Sequence, residues 1–352
     1  MILYFNTGKS SFVDTDMKIL AGIDKVKSFS FAFERKSAIP FILLRQLFFI
    51  LTHLHKSKLI VCQFAGYHAF FPCLFARITG KKSLIVSGGT DCVSYPGIGY
   101  GNFHKTLMGT FTKWCFQLTS AISPKHETLY SHNYSYDPNE PSRQGIKAFV
   151  PALKKHVQVI YNGYDSTKWK CTATKKRFSF ITLSSMFQLP FQVQLKGIDL
   201  ILEVAPQFPQ CTFTIAGVPD WKKLPIKSSN VKILPPVENN QLPAIFSENQ
   251  YYLQLSMAEG FPNALCEAML CECIPIVSNV FSMPEIVADT GYILLKRDVE
   301  ELARLIQSVI DQPDLNKGAE ARKRIAENYT VERRTRELTA LVKSILPPTH
   351  NS

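Results

Sequence analysis

The sequence predicts an α/β protein with two doubly wound domains, each built on a parallel sheet with helices on both faces. Its 352 residues exceed the usual size of a single domain. Short apolar runs alternate with longer segments of helical spacing, which is the pattern of parallel strands joined by helices. The alternation restarts after a polar stretch near residues 160–175. The second series of elements predicts a second sheet, and ligands of such sheets bind beyond the carboxyl ends of the strands.

The first series of strands and helices predicts the amino-terminal domain. Apolar runs of four to eight residues are predicted as strands, and longer runs with helical periodicity as helices. In chain order the segments are MILYFN (strand), DTDMKILAGIDKV (helix), VKSFSFAF (strand), AIPFILLRQLFFILTHLH (helix), KLIVCQF (strand), HAFFPCLFARITG (helix), KSLIVSGGTD (strand) and, after a polar, proline-containing segment, VQVIYNGYD.

The second series predicts the carboxyl-terminal domain in the same way. Its segments are RFSFITLSS (strand), GIDLILEVAPQF (helix), CTFTIAG (strand), VKILPPV (strand), QLPAIFSEN (helix), YYLQLS (strand), NALCEAMLCE (helix), IPIVS (strand) and VEELARLIQSVID (helix).

The stretch SMAEGFPNALCEAMLCECIPIVS, residues 256–278, places Glu259 and Glu267 on either side of a Gly-Phe-Pro-Asn corner. Pro262 suits the first turn of a helix, where a missing N–H costs nothing. The corner therefore predicts a loop at Glu259 and a helix that contains Glu267. The free N–H groups and the positive dipole end of that helix form an anion site. A phosphate that carries a sugar at each end fits an anion site flanked by two carboxylates.

Positive charge is concentrated in the amino-terminal half of the chain. Residues 1–165 contain 19 lysines and arginines against nine aspartates and glutamates, so they carry +10 of the net +12. Such a surface suits nucleic acid, anionic lipid or phosphorylated substrates. We expect no nucleic-acid partner, because no arginine-rich tract or RNA-binding signature accompanies the charge. We also expect no signal peptide and reduced thiols, because MILYFN lacks a basic flank and the nine cysteines include no CxxC pair.

The apolar segment at residues 38–55 has two interpretations. It is short for a membrane span and is interrupted by Arg45 and Gln46. The simpler interpretation is a helix packed in the core of the first domain. The alternative is a helix at a membrane interface, with its apolar face in lipid and basic neighbours on the headgroups.

Two short motifs are set aside as functional sites. The DTD at residues 14–16 resembles an Asp-x-Asp metal site, but acidic residues at the start of a helix are more simply explained by capping and the helix dipole. TGKSS at residues 7–11 lacks the first glycine of a phosphate-binding loop. We therefore predict no metal site, and because no G-x-G-x-x-G follows the first strand we also predict no organic cofactor such as a nicotinamide or flavin.

Four segments together resemble a known family. EGFPNALCEAM, LKGIDLILEVA, CTFTIAG and VIYNGYD follow, in order and spacing, the retaining glycosyltransferases of family 4, which have the two-domain GT-B fold. The resemblance is strong over about residues 160–300 and looser over residues 1–158. It implies two Rossmann-like domains facing across a cleft, with a hinge at Asn162 and Gly163. The implied divisions are an acceptor-binding domain at 1–162, a nucleotide-sugar-binding domain at 163–328 and a helix at 329–352 that packs back on the first domain.

The resemblance implies roles for the residues of the donor site. Glu259 is similar to the carboxylate that accepts hydroxyl groups of the donor sugar, and Glu267 to the one that holds the nucleotide ribose. Lys196 resembles the lysine that neutralises the diphosphate and helps it leave. The backbone amides of Phe261 to Ala264 are expected to receive the diphosphate. The implied donor-binding set is Glu267, Gly260, Phe261, Pro262, Asn263, Ala264 and Gly8.

The acceptor side of the cleft is expected to contain Asp91, at the end of SLIVSGGTD. The resemblance implies that Asp91 faces the sugar from the first domain and belongs with Lys196 and Glu259 in the catalytic set. His68, His104 or His126 could also position the acceptor, although a lone histidine in an aromatic segment more often has a structural role.

One departure from the family concerns a second cation. The family usually has an arginine about five residues before the lysine, whereas no basic residue lies between Arg177 and Lys196 here. Lys9 is a candidate replacement.

The implied activity is hexosyl transfer, with retention and without a metal, from a UDP- or GDP-sugar to a saccharide acceptor. The basic, apolar first domain suggests that the acceptor is lipid-linked, as in cell-surface polysaccharide or glycolipid synthesis. The protein would then be peripheral at the cytoplasmic face of the membrane. Two alternatives remain open at this stage: a GT-B protein of another activity, such as an epimerase or phosphorylase, or a binding protein with a decayed site.

Overall fold

Two six-stranded sheets, one in each half of the chain, form the framework of the protein. The computed structural model describes residues 1–8, 10–32, 36–184, 191–219, 224–226 and 228–346. Every strand pair within the two large sheets is parallel. The predicted fold class, α/β with two doubly wound domains, is confirmed.

The first sheet has the strand order β2-β1-β3-β4-β5-β8, and β6 and β7 form a separate antiparallel pair. Its central strands are buried on both faces, as expected for a parallel sheet covered by helices. The strands are β1 (Ile2–Asn6), β2 (Val26–Ser30), β3 (Leu59–Gln63), β4 (Lys82–Ser87), β5 (Ala121–Pro124), β6 (His132–Asn133), β7 (Arg143–Gln144) and β8 (His156–Val157); the helices are α1 (Ser11–Ala21), α2 (Ile39–His53), α3 (Tyr67–Ile78), α4 (Thr106–Leu118) and α5 (Ile146–Phe149).

The second sheet has the order β11-β10-β9-β12-β13-β14. Its strands are β9 (Lys176–Leu183), β10 (Thr212–Ala216), β11 (Val231–Leu234), β12 (Asn249–Gln254), β13 (Ile274–Ser278) and β14 (Tyr292–Leu294). The helices of this half are α6 (Phe191–Leu195), α7 (Ile198–Val204), α8 (Leu242–Glu248), α9 (Asn263–Leu270), α10 (Met283–Val287), α11 (Val299–Asp311), α12 (Asn316–Asn328) and α13 (Val331–Ile345).

The last helix, α13, packs against the first domain. Its Leu338, Leu341 and Val342 share an apolar cluster with residues of β1. Arg334 donates from Nε and Nη2 to the two carboxylate oxygens of Asp16 on α1, at 2.8 and 2.9 Å. This buried, bidentate pair ties the two ends of the chain together, because guanidinium and carboxylate match in geometry.

The Asp16 pair corrects the capping interpretation of DTD. The residue that caps α1 is Ser10, whose hydroxyl accepts the N–H of Val13 at 3.4 Å. Asp16 is 1% exposed and serves as the anchor for Arg334. Within the described ranges, no group of three or more His, Cys, Asp or Glu residues is placed to hold a metal ion.

Helix α2 is the main departure from the expected core. Ile42, Gln46 and Ile50 are buried, whereas Phe41 and Phe48 are 63% and 71% exposed. The core interpretation is therefore wrong for the outer face of this helix. No helix in the described part of the chain is both long enough and apolar enough to cross a membrane.

Candidate active site

The corner between β12 and α9 places Glu259 in a loop and Glu267 in a helix, as the sequence predicted. Helix α9 begins at Asn263, and Pro262 is the residue before it. The geometry follows from the sequence, because proline fixes φ and lacks an N–H that the first turn would leave unpaired.

The first turn of α9 has backbone N–H groups that are free to bind an anion. The N–H of Cys266 donates to the carbonyl of Pro262 at 3.4 Å, and the amides before it precede the helical hydrogen bonds. Pro262 itself cannot donate, which corrects the expectation of four consecutive amides. Of the four predicted residues, Phe261, Asn263 and Ala264 have amides that can donate hydrogen bonds to a diphosphate, helped by the helix dipole.

Lys196 and Glu259 form an ion pair beside this corner. Lys196 Nζ lies 2.6 Å from Glu259 Oε1. The same oxygen accepts from the Ser256 hydroxyl at 2.9 Å and from the Gln254 side-chain amide at 3.1 Å. Burial by itself lowers the pKa of Lys196, but the adjacent carboxylate outweighs it and raises that pKa. The ammonium therefore stays charged and is held against Glu259.

Gly197 explains how Lys196 reaches the corner. Its φ is +65°, and a Cβ at this position would lie 2.3 Å from the carbonyl oxygen of Leu255. The N–H of Met257 donates to the carbonyl of Leu195 at 2.8 Å. The close approach of these two backbones, which only glycine permits, brings Lys196 next to Glu259.

Glu267 is buried in α9, with 7% of its surface exposed. Burial raises its pKa to about 7, and the positive charge of Lys168 partly offsets this. Within the described ranges its carboxylate accepts no hydrogen bond from the protein. A buried carboxylate of this kind is available to hydroxyl groups of a ligand, which would lower the cost of burying its charge.

A cavity of about 370 Å³ connects these groups. Its volume falls in the range of small-molecule sites, about 300–1,000 Å³. Polar and apolar side chains both line it. The lining residues are Ser11, Leu183, Lys196, Gly217, Pro236, Val237, Asn239, Leu242, Gln254, Glu259, Pro262, Asn263, Ala264 and Glu267.

Asp91 is close to the cleft, but its carboxylate is already occupied. It accepts the N–H groups of Ala65 at 2.9 Å, Gly88 at 3.1 Å and Gly89 at 3.2 Å. Burial raises the pKa of Asp91, and these amides lower it in part. The structure thus gives Asp91 a positioning role for the Gly88–Gly89 loop. It also borders a separate cavity of about 510 Å³ in the first domain, and a direct contact with a sugar stays a prediction.

Glycines of the two domains, Gly88 and Gly89 in the first and Gly260 in the second, lie in close contact. A Cβ on Gly260 would lie 1.8 Å from the carbonyl oxygen of Gly88, and one on Gly89 would lie 3.4 Å from the N–H nitrogen of Gly260. The Gly88–Gly89 loop of the first domain and the Gly260 corner of the second domain are therefore in backbone contact. This contact lies at the residue that follows Glu259.

Three predicted donor residues, Gly260, Phe261 and Gly8, lie apart from the cavity lining. The Phe261 ring is 6% exposed and packs with aromatic rings that include Tyr161, Tyr164 and Tyr329. Its side chain therefore belongs to the packing between domains, and only its backbone remains a candidate for donor contact. Gly8 lies in the loop after β1 and donates its N–H to Asn6 Oδ1 at 3.0 Å.

The three candidate histidines have structural surroundings. His68 Nε2 lies 2.8 Å from the carbonyl of Gln63, and the ring lines the Asp91 cavity. His126 Nε2 lies 3.0 Å from Glu285 Oε2 of the second domain. Burial lowers the pKa of both rings, and that of His104 as well. None of the three borders the cavity of Lys196 and the two glutamates.

Three side chains at this site were missed by the sequence interpretation. Gln254 and Ser256 both bond Glu259, and they are polar residues two apart at the end of a buried strand, which is a signal that the sequence does contain. Tyr100 has no such signal. Its hydroxyl lies 2.8 Å from Thr90 Oγ1, and the charges of Lys196 and Glu259 both act on its pKa, which burial raises.

Lys9 is the candidate for a second cation at this site, because the loop before Lys196 contains no basic residue. Residues 185–190 and Lys9 both lie outside the described residues. Among the described residues that line the donor cavity, Lys196 is the basic one.

Comparison with known proteins identifies the relatives of this chain. Residues 192–330 match the family described as Glycosyl transferases group 1. An uncharacterized 41.2 kDa protein in the cps region of Klebsiella pneumoniae is 34% identical over 279 residues, covering 74% of this chain and 69% of that protein. A phosphatidylinositol N-acetylglucosaminyltransferase subunit of Arabidopsis thaliana is 23% identical over 269 residues, covering 73% of this chain and 54% of that protein. The chain thus spans about half the length of the Arabidopsis relative.

The fold is also that of a solved structure with a nucleotide sugar. HepE of Anabaena, in complex with UDP-glucose, has a TM-score of 0.70 at 14% identity, covering 98% of this chain and 100% of that one. Two parallel Rossmann-like sheets on either side of a cleft define the GT-B class of glycosyltransferases. The chain belongs to the family of glycosyl transferases group 1.

Proposed function

We propose that this protein is a retaining glycosyltransferase that transfers a hexose from a UDP- or GDP-sugar to a lipid-linked saccharide. The observation that carries the proposal is one cavity that holds Lys196, Glu259, Glu267 and the amino-terminal end of α9. These groups match the parts of a nucleotide sugar: cation and amides for the diphosphate, and carboxylates for the hydroxyl groups on either side. The complex of HepE with UDP-glucose supports a uridine nucleotide as the first candidate.

The ion pair suggests how donor binding prepares the site. In the free protein, the Lys196 ammonium is held by Glu259 at 2.6 Å. A donor diphosphate would compete for the ammonium and leave Glu259 free to accept sugar hydroxyls. As the anomeric bond breaks, charge grows on the diphosphate, where Lys196 and the α9 amides stabilise it. The acceptor hydroxyl would attack from the leaving-group side, and the departing phosphate would take its proton.

The donor proposal predicts different effects for the two glutamates. Glu267→Gln should weaken nucleotide binding, whereas Glu259→Gln should lower turnover, because sugar hydroxyls are held most tightly as charge develops at the anomeric carbon. The test is the release of free UDP or GDP from a panel of UDP- and GDP-hexoses. Glu248→Gln, an exposed carboxylate on the far side of the domain, is the matched control.

The pH dependence sharpens this test. The pKa of Glu267 is raised to about 7, so its carboxylate is charged above that pH and protonated below it. The difference in affinity between wild type and Glu267→Gln should be full above pH 7 and disappear as the pH falls through it. An equal effect at every pH would contradict a role for the carboxylate. An epimerase would yield a nucleotide-linked product, and a protein with a decayed site would bind nucleotide without turnover.

The outer face of α2 supports a lipid-linked acceptor. Phe41, Leu44, Phe48 and Leu51 are 63%, 65%, 71% and 58% exposed, and they follow one side of the helix. The exposed Arg45 lies among them. An apolar stripe with basic neighbours suits an anionic membrane surface. We therefore propose that the protein is peripheral at the cytoplasmic face of the membrane.

The Asp91 cavity lies beside this apolar face. Its lining includes Ile39 at the start of α2, Tyr67 at the start of α3 and Met108 near the start of α4. Leu107, the neighbour of Met108, is 63% exposed. A lipid tail on the exposed face would therefore place an attached saccharide near the Gly88–Gly89 loop.

The membrane proposal predicts loss of vesicle binding in a polar variant of α2. Wild type should sediment with vesicles of phosphatidylglycerol and phosphatidylcholine at low salt, and less at high salt as the charges are screened. Replacing Phe41, Leu44 and Phe48 with serine should remove this binding while the fold is retained, because the three side chains are exposed. The matched control replaces Leu295 and Leu315, exposed leucines of the second half. Wild type that stays in solution at every salt would favour a soluble acceptor.

A further inference from the structure

Lys125 is a buried lysine that has no role in the proposed reaction so far. It follows β5 directly and is 3% exposed. Its Nζ lies 3.6 Å from the centre of the Phe12 ring and 5.4 Å from that of Phe64. Within the described ranges its ammonium forms no ion pair and donates no hydrogen bond. The ammonium instead faces two aromatic rings. A ring stabilises a cation less than a carboxylate would.

The charged groups around Lys125 do not neutralise it. Asp16 on α1 and Arg334 on α13 are paired with each other, and Asp91 is bonded to three backbone amides. The pKa of Lys125 is lowered to about 7, chiefly by burial and also by the charge of Arg334, while Asp16 and Asp91 act in the opposite direction. A buried amine without a charged partner lowers the stability of the fold. Its presence here therefore calls for a reason other than stability.

The two rings that contact Lys125 connect it to the residues at which the two domains meet. Phe12, the nearer ring, follows Ser11, which lines the donor cavity. Phe64, the second ring, has a φ of +69°, unusual for a residue with a side chain. A Cβ on Gly88 would lie 2.0 Å from Phe64 Cε1, so this ring supports the loop that contacts Gly260. Lys125 therefore lies one layer of rings behind the junction of the two domains.

Among the described residues that line the donor cavity, one lysine stands against two glutamates. Lys196 is paired with Glu259, and Glu267 adds a second acid to the lining. A nucleotide diphosphate carries several negative charges and needs more than one cation or dipole to offset them. The field of a buried cation acts through the low-dielectric rings with little screening by solvent.

We propose that Lys125 is a second, buried cation of the donor site, which attracts the diphosphate through the Phe12–Phe64 layer without touching it. The proposal rests on the proposed function, since it assumes a nucleotide diphosphate in the Lys196 cavity. Binding of the diphosphate should draw a proton onto Lys125, because the added negative charge favours the ammonium over the neutral amine. Lys125 thus couples nucleotide binding to proton uptake.

Calorimetry of UDP and of GDP tests this coupling. Titration in buffers of different ionisation enthalpy, at about pH 8 where most of Glu267 is already ionised, counts the protons taken up. Wild type should take up a proton on binding, and Lys125→Met should not. The variant should also bind about tenfold more weakly near neutral pH, the effect of one charge at this depth. Lys113→Met, an exposed lysine of α4, is the control for the loss of one charge.

Stability distinguishes this role from a structural one. A lysine whose folded pKa is depressed weakens the fold at all pH values below that of the unfolded chain. Lys125→Met should therefore melt at the same or a higher temperature than wild type while binding nucleotide less well. Equal affinity and equal proton uptake in wild type and Lys125→Met would overturn the inference and leave the proposed function intact. If neither UDP nor GDP binds wild type, the proposed function fails first, and the inference with it.

Discussion

Lys196→Ala is expected to lower the turnover number by about 10²–10³, the usual cost of losing one contact that stabilises developing charge. The Michaelis constant for the donor should change far less. The ammonium meets part of the diphosphate charge in the bound donor and more of it as the bond breaks, so its stabilisation grows along the reaction. In the free protein this ammonium is already held toward the site by Glu259, at 2.6 Å.

The matched control is Lys176→Ala. Lys176 is paired with Glu248 at 2.5 Å, a similar ion pair at the far end of β9 and exposed to solvent. Exposed pairs contribute little, so this variant should keep wild-type kinetics and stability. The turnover number and Michaelis constant of wild type, Lys196→Ala and Lys176→Ala are measured from the steady-state release of nucleotide diphosphate. Near-normal turnover in Lys196→Ala would mean that another cation carries the diphosphate, and Lys9 would be the first residue to replace.

Gly260→Ala is expected to lower kcat/KM by at least about 10², because a displacement near 1 Å at the reacting centre has an effect of that size. The new Cβ would lie 1.8 Å from the carbonyl oxygen of Gly88. The two backbones would have to separate, which would move the Gly88–Gly89 loop away from Glu259. Each half of the chain has its own six-stranded sheet, so the variant should remain folded.

Gly22→Ala tests whether any added methyl group has this effect. Gly22 ends α1 with a φ of −72°, and its nearest contact to a Cβ would be 3.3 Å, from the carbonyl oxygen of Ile19. That site can accept alanine with a small adjustment. Kinetics together with thermal melting separate the cases: Gly260→Ala should melt near wild type and lose most of its activity. Full activity would show that the contact between the domains is not needed for transfer.

The second domain could be predicted from the sequence because its signals are local. The alternation of strands and helices, the proline before α9 and the glycine after Lys196 each fix the backbone within a few residues. The placement of Glu259 in a loop and of Glu267 in a helix followed from Gly260, Pro262 and the helical spacing of the apolar residues after them. The place of the cavity was also implicit in the carboxyl ends of parallel strands, where ligands bind.

The first domain shows what local signals do not contain. Asp91 was predicted to face a sugar, and that contact stays a prediction; the sequence did not show that its carboxylate accepts amides of its own loop and of Ala65. Asp16 was assigned to helix capping, whereas its partner Arg334 lies 318 residues away. Helix α2 resembles a core helix by composition, since its sequence gives no information on which faces find neighbours. Contacts with distant segments decide the surroundings of Asp16 and α2, whereas Asp91 is bonded by its own loop and by Ala65.

The position of a nucleotide in this protein tests the central claim most directly. Crystals grown with UDP, and in parallel with GDP, locate the diphosphate by its electron density. We predict a diphosphate within hydrogen-bonding distance of Lys196 Nζ and of the backbone amides of Asn263 and Ala264, with the ribose against Glu267. A nucleotide bound elsewhere, or no binding of either nucleotide, would contradict the assignment of this cavity as the donor site.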